Sequence, residues 1–246
     1  MRVAAYGDIH GHWLDFKESV LELHSREPLD LVLQCGDAQP FRDEADLEYM
    51  HCPSKYRESG DFWAFHGGIE EFPVPVIFIG GNHEPWGYLD EHRDGGLLVK
   101  NVQFLGRAGR TQVDGLRIGG VSGVFSPKYF GQSHPQPPYP TSQRKQATYY
   151  NEEDIDRALA FGGVDILLLH NWPDLMNGAR DTDWPAHWSS VGCEYLSMVV
   201  QALHPRWVFC GHMHYRAQHR IAGSEIVCLS DFHRDPDNAV AVVELG

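Results

Sequence analysis

The sequence predicts a layered α/β fold, and three observations carry that prediction. Short runs rich in β-branched residues recur along the chain, and several are separated by segments whose apolar residues step by three and four. Strand and helix patterns in alternation build an α/β layer structure. The runs are also apolar at successive positions, as a sheet covered on both faces requires.

The runs lie at 3–6, 31–33, 76–79, 117–121, 166–169, 207–209, 226–229 and 239–244. The helical patterns are Trp13, Phe16, Val20, Leu21 and Leu23, then Ile155, Ala158 and Leu159, then Tyr195, Leu196, Val199 and Leu203. Hairpin-like runs around Gly115 predict some antiparallel strands. Two proline- or tryptophan-marked stretches, 126–146 and 171–191, read as long surface loops, and 38–68 reads as an insertion between core strands. Burial is the expected role of Trp172, Trp184 and Trp188, with substrate stacking as the alternative.

Composition narrows the function. The 246 residues carry 20 basic and 34 acidic side chains, a net charge of −14, which excludes a basic nucleic-acid coat. A polyanion bound here needs a local counter-field, and metal ions can supply one. Hydrophobic residues at 42% suffice for a sizeable core. The five cysteines include no C-x-x-C pair, which predicts a reducing compartment and no structural zinc. With neither a signal core nor an apolar run of ~20 residues, the chain is expected to be cytoplasmic, away from membranes and without an obligate protein partner.

Five motifs stand immediately after predicted strands: Asp8 to His10, Gly36 and Asp37, Gly81 to Glu84, His170, and Gly211 to His214. Carboxyl ends of strands share one edge in open α/β sheets, so these residues are expected to converge. Taken singly, each is commonly a hydrogen-bonded structural residue. Together, Asp, His and Asn donors without thiolates suit Mn, Fe, Zn or Mg. We read a two-metal site in which Asp37 bridges, Asp8, His10 and His214 complete the first ion's ligands, and Asn82, His170 and His212 hold the second. His83 is left without a metal and is the expected general acid. Glu84 either orients its loop or is a simple salt-bridge or helix-start residue. Met213, between two ligands, is expected to pack.

In this order, D-x-H, GD, GNHE, H and GHxH resemble the calcineurin-like metallophosphoesterase superfamily, over most of the chain. Within it the sequence is most similar to the lariat-debranching family: Cys35 to Gln39, Arg42 to Leu47, Lys55 to Arg57 and Gly60 to Phe62 resemble its recognition insertion. Ile79 to Glu84, Gly115 to Gly120, Ser122 and Gly123, Pro137 to Tyr139 and His170 to Pro173 follow the same pattern. The resemblance implies a four-layer αββα sandwich of two mixed sheets flanked by helices. It also implies two divalent metal ions, Mn foremost with Fe/Zn or Ni as alternatives, and hydrolysis of a 2′–5′ phosphodiester in branched RNA. Asp8 stands where debranching enzymes commonly carry Cys, and Asn171 where they carry Asp; a harder donor at position 8 favours oxygen-loving ions. The match is poor from Cys228 to Asp235, and the longer carboxyl ends of eukaryotic members have no counterpart here.

Substrate contacts are expected from Arg42, Lys55, Tyr56 and Arg57 of the insertion and from His12. The bland readings are solvated ion pairs with neighbouring acids for the insertion and a helix-start surface histidine for His12. A protein serine/threonine phosphatase is disfavoured because Ala38, Gln39 and Pro40 follow Asp37 where that group has G-D-x-V-D-R-G. A general metallophosphodiesterase for cyclic or small nucleotides or 3′–5′ ends keeps every ligand. A non-catalytic scaffold predicts lost ligands, and none is lost.

Overall fold

The structure is a computed structural model and describes residues 1–52, 57–179, 184, 185, 188 and 190–245. The described residues form two six-stranded mixed sheets. The first contains β1 (Arg2–Tyr6), β2 (Leu31–Gln34), β3 (Val76–Phe78), β4 (Gly96–Val99), β5 (Val102–Phe104) and β12 (Val240–Glu244), in the order β12-β1-β2-β3-β5-β4. The second runs β10-β11-β9-β8-β7-β6, from β6 (Ala108–Val113), β7 (Leu116–Val121), β8 (Ile166–Leu169), β9 (Trp207–Cys210), β10 (Ala217–Ile221) and β11 (Ser224–Cys228).

Alternation along each strand divides the core into layers. Val3, Ala5, Leu31, Leu33 and Ile77 meet Ile118, Ile166, Leu168 and Phe209 between the sheets. Their neighbours Ala4, Tyr6, Val32 and Phe78 face outward onto Trp13, Phe16 and Val20 of α1 (Trp13–Arg26). On the far side, Leu167, Leu169 and Val208 pack beneath α5 (Glu152–Leu159) and α6 (Glu194–Leu203). The central strands β2, β3, β8 and β9 are thus buried on both faces, and the sandwich has the four-layer αββα order expected. No helix among the described residues is long and apolar enough to cross a membrane.

The eight sequence-read strands and three helices are present, with ends shifted by one or two residues in several. Three strands, β4, β5 and β10, were not foreseen, while β6 pairs antiparallel with β7 in the hairpin expected around Gly115. β10 alternates exposed polar with half-buried positions at a sheet edge, so its sequence carries no apolar run. β6 is the polar arm of the hairpin turning at Asp114 and Gly115, while β4 and β5 are short. Between β2 and β3 lies α2 (Trp63–His66), and α3 (Trp86–Leu89) follows β3. The 126–146 loop ends in a 3-10 turn and α4 (Arg144–Ala147) rather than remaining irregular throughout.

Parallel pairing of β1, β2 and β3, and of β7, β8 and β9, points their carboxyl ends to a common edge. A buried ion pair braces one side of that edge. Arg107 binds Asp90 with both arms at 2.7 and 2.8 Å, donates to Ala147 O at 2.6 Å and lies over Trp86. Tyr139 also donates to Asp90, which ties the proline-rich loop to α3 and α4. The arginine holds the Asp90 carboxyl below the ordinary range despite burial.

Candidate metal centre

All five motifs emerge at this edge. The first group joins Asp8, after β1, to His10 and His214: His214 Nε2 lies 3.0 Å from Asp8 Oδ2 and 3.2 Å from His10 Nε2. The second group is Asp8, Asp37 and His170, so Asp8 belongs to both. His170 Nε2 lies 3.1 Å from Asn82 Oδ1 and 3.5 Å from Asp37 Oδ1. Its Nδ1 donates to Cys35 O at 2.9 Å, which fixes the ring and leaves Nε2 available as a donor atom. The His212 ring sits 5.0 Å from that of His170, and its backbone N–H donates to both Asp8 oxygens.

The backbone is bent to make this possible. His10, Asp37, His212 and His214 all take positive φ, between 46° and 70°, a conformation disfavoured for side chains of this kind. Glycines stand beside them because nothing larger fits. A Cβ on Gly36, itself at φ +94°, would lie 2.6 Å from His170 Nδ1, and one on Gly81 or Gly211 would run into Asp37 or Asp8.

Asp8 and Asp37 are fully buried, yet their ion-pair partners among the described residues are histidines, with no Lys or Arg. Burial pushes Asp37 up, but His170, His83 and His10 outweigh it and hold the carboxyl well below its usual range. His170 in turn is driven up to about 9 by Asp37 and Asp8 against the effect of burial. Burial and the neighbouring His170 push His212 down to about 4. Two buried carboxylates set among imidazoles and a side-chain amide, with no cationic side chain to neutralise them among the described residues, form an all N/O donor set that calls for cations, so divalent metal ions fit these residues.

Three residues support the donor loops: Glu84 takes the loop-orienting role that was one of its two expected readings, while Gln39 and Asp61 were not foreseen in theirs. Glu84 is fully buried and accepts from the backbone N–H groups of Ala38 (2.9 Å), Gln39 (2.7 Å) and Gly81 (2.8 Å), so it orients the loops on either side and makes no salt bridge among the described residues. Burial, then the nearby Asp37, push it up to about 7. The Gln39 amide meets His10 Nδ1 at 3.0 Å. Asp61 caps α1 by accepting from Trp13 N and Leu14 N, while Gly60 packs on Gly11, which docks the 38–68 insertion under the first motif. No periodicity marks such residues, since their partners are distant backbone groups.

His83 donates its backbone N–H to Asp37 Oδ1 at 2.7 Å, and its Nδ1 is buried without a hydrogen-bond partner among the described residues. It lines a cavity of about 580 Å³ together with Asn82 and His212. The remaining walls are His51 and Cys52 of the insertion, Val124, and Lys145, Thr148 and Tyr149 from α4 and beyond. Sequence reasoning named none of these wall residues.

The expected substrate contacts lie elsewhere or outside the described residues. Arg42 is bound bidentately to Asp46 at 2.9 and 2.8 Å and sits over Tyr88, the ion-pair arrangement weighed above. Arg57 is exposed, and its guanidinium is 3.5 Å from Met50 O. Lys55 and Tyr56 fall outside the described residues. His12 stacks on His233 at 4.1 Å and faces Asp15, forming a third and more exposed donor group. Trp172 and Trp184 are buried, and Trp172 Nε1 donates to Gly211 O at 2.8 Å, so that tryptophan supports the His212 turn.

A family profile described as calcineurin-like phosphoesterase matches residues 1–216. The lariat debranching enzyme of Arabidopsis thaliana is 31% identical over 229 residues, covering 87% of this chain and 54% of that protein. That of Homo sapiens is 33% identical over 231 residues, covering 88% and 42%. The chain therefore spans about half the length of the curated relatives it matches. A solved Staphylococcus aureus structure, described as a candidate 5′-nucleotidase in complex with alpha-ketoglutarate, aligns over 100% of this chain and 51% of its own. Its TM-score is 0.52 at 13% identity, a likeness of fold.

Proposed function

The chain belongs to the calcineurin-like phosphoesterase family, and from that premise we propose that it is a dinuclear metal-dependent phosphodiesterase that hydrolyses the 2′–5′ bond of branched RNA. The observation that carries the reading is the convergence of two donor groups sharing Asp8 beside a cavity lined by His83. Asp8, His10 and His214 would hold the first ion and Asn82, His170 and His212 the second, with Asp37 the carboxylate that would serve both. Mn is the expected metal, with Fe/Zn or Ni as alternatives. Such a pair supplies charge for the phosphodiester and acidifies water near neutral pH.

The protein's own residues do the rest. Attack by water oxygen on phosphorus breaks the bond to the ribose 2′ oxygen, and His83 delivers the proton that this leaving group needs. The phosphate stays on the 5′ side and the branch nucleotide regains its hydroxyl. His83 is free for this role because its backbone, rather than its ring, is engaged by Asp37. Cavity size supports a nucleotide-scale ligand, about 580 Å³ against the ~300–1,000 Å³ of small-ligand clefts. Relatives that are lariat debranching enzymes support the substrate. With a net charge of −14, affinity for RNA has to come from the centre and from Lys145 rather than from a basic surface.

One observation favours a second reading, a general metallophosphodiesterase for cyclic or small nucleotides or 3′–5′ ends. Arg42, the insertion's expected phosphate contact, is occupied by Asp46. The test is hydrolysis by Mn-loaded protein of matched short RNAs, one 2′–5′ branched and one linear, beside an aryl phosphodiester. Strong preference for the branch is expected. Equal cleavage of all three overturns the substrate and leaves the general reading.

A further inference from the structure

The stretch from Cys228 to Asp235, the poorest match to the debranching pattern, wraps the first donor group. Three consecutive residues each touch one of its members. Ser230 Oγ donates to His214 O at 3.1 Å, and Phe232 N donates to Asp8 O at 2.8 Å. Between them, Asp231 Oδ2 lies 3.5 Å from His214 Nδ1 and 3.6 Å from His10 Nε2. Gly7, just before Asp8, is closed in by Ser230 O, so the two segments are pressed together.

Asp231 is 2% exposed, and a carboxylate so buried is costly unless charge or hydrogen bonds meet both oxygens. Its Oδ1 is met by the backbone N–H groups of His233 (3.0 Å) and Arg234 (2.9 Å), which fixes the carboxylate plane. Arg234 Nε is 3.6 Å from Oδ2, but its side chain is 71% exposed and water screens that pair. The less exposed partners of Oδ2 are therefore the imidazoles of His10 and His214, at 22% and 34% side-chain exposure, and whatever they hold.

We propose that Asp231 is a positioning residue for the first metal ion, its carboxylate backing His214 on the Nδ1 side so that Nε2 faces the ion beside Asp8. This rests on the metal-centre reading of the Proposed function but not on its substrate. A carboxylate behind a metal-bound histidine raises ligand basicity and fixes the ring, and losing one typically weakens metal affinity 10–100-fold. Asp231 could instead serve only to cap its own turn through Oδ1. The amide of Asp231→Asn separates these roles, since it retains an acceptor oxygen for the turn and loses the charge facing His214 and His10.

The experiment is equilibrium dialysis against Mn²⁺ with metal analysis and electron paramagnetic resonance, on full-length wild type, Asp231→Asn and Asp231→Glu. Wild type is expected to take two ions with a spin-coupled signal. At the same free Mn²⁺, Asp231→Asn is expected to take one ion with an uncoupled signal, and to regain the second only at about 10–100-fold higher Mn²⁺. Thermal unfolding of the metal-free variant is expected to match wild type. Wild-type metal affinity in Asp231→Asn overturns the proposal. Should that variant fail to fold, Asp231→Glu decides: a displaced carboxylate weakens the first ion if the proposal holds and leaves it unchanged if it does not. Because no RNA is present, a wild type that binds two ions and leaves branches intact sinks the substrate reading alone.

Discussion

Glu84 offers the sharpest test of how the donor loops are held. Its carboxylate takes three backbone N–H groups, two directly after Asp37 and one just before Asn82, inside a fully buried site. In Glu84→Ala all three donors lose their acceptor. Each buried donor left unmet costs about 1–3 kcal/mol, partly offset because a carboxylate no longer has to be buried, so a net loss of about 3–5 kcal/mol is expected. In Glu84→Gln the amide oxygen still serves Ala38 and Gly81, but its NH₂ faces the N–H of Gln39, and the loss falls to about 1–3 kcal/mol. The side chain also has a pH signature in the metal-free protein. Its folded-state value is raised from 4.5 to about 7, so the protonated form favours the folded chain. That contribution is complete below 4.5 and is lost as pH rises to about 7. Glu84→Gln therefore loses this decline. Urea unfolding followed by tryptophan fluorescence, from pH 4.5 to 8, measures both effects. Glu84→Ala within about 0.5 kcal/mol of wild type, or an unchanged pH slope in Glu84→Gln, refutes the loop-holding role.

Three further outcomes are expected. His83→Ala lowers single-turnover cleavage of branched RNA by about 10²–10⁴-fold while metal content stays at the wild-type level, measured by quench-flow and metal analysis. Asp90→Ala strands the buried Arg107 guanidinium and costs about 3–5 kcal/mol in urea unfolding, and adding Arg107→Met recovers part of that loss; strictly additive losses would count against the pairing. Gly211→Ala places a methyl group against Asp8 Oδ1 and lowers affinity for the first ion, seen as a higher Mn²⁺ midpoint in dialysis, with wild-type binding as the contrary result.

The convergence of these donor residues was legible because each follows a strand, and strands declare themselves through alternation of buried faces, as Ile166 to Leu169 do by feeding two different core layers in turn. The backing residues were not legible in the same way. Asp231 and Gln39 act on histidines remote in sequence, and Glu84 acts on backbone donors near position 38, so neither spacing nor periodicity announces them. Arg42 shows the converse: a basic side chain in a recognition-like stretch, which the fold commits to Asp46 four residues on. The cavity wall of His51, Lys145 and Tyr149 draws on distant segments, with Arg107, held by Asp90, binding Ala147 O at the end of α4.

The central claim joins a pair of ions to one reaction, and a single titration tests both. Metal-free protein is brought stepwise to increasing Mn²⁺, and at each step bound metal per chain is measured beside the single-turnover rate on a 2′–5′ branched RNA. The account predicts that the rate rises with occupancy of the second ion and that the products carry a restored 2′-hydroxyl and a 5′-phosphate. Full activity with one ion per chain, or linear 3′–5′ RNA cleaved as fast as the branch under two, contradicts it.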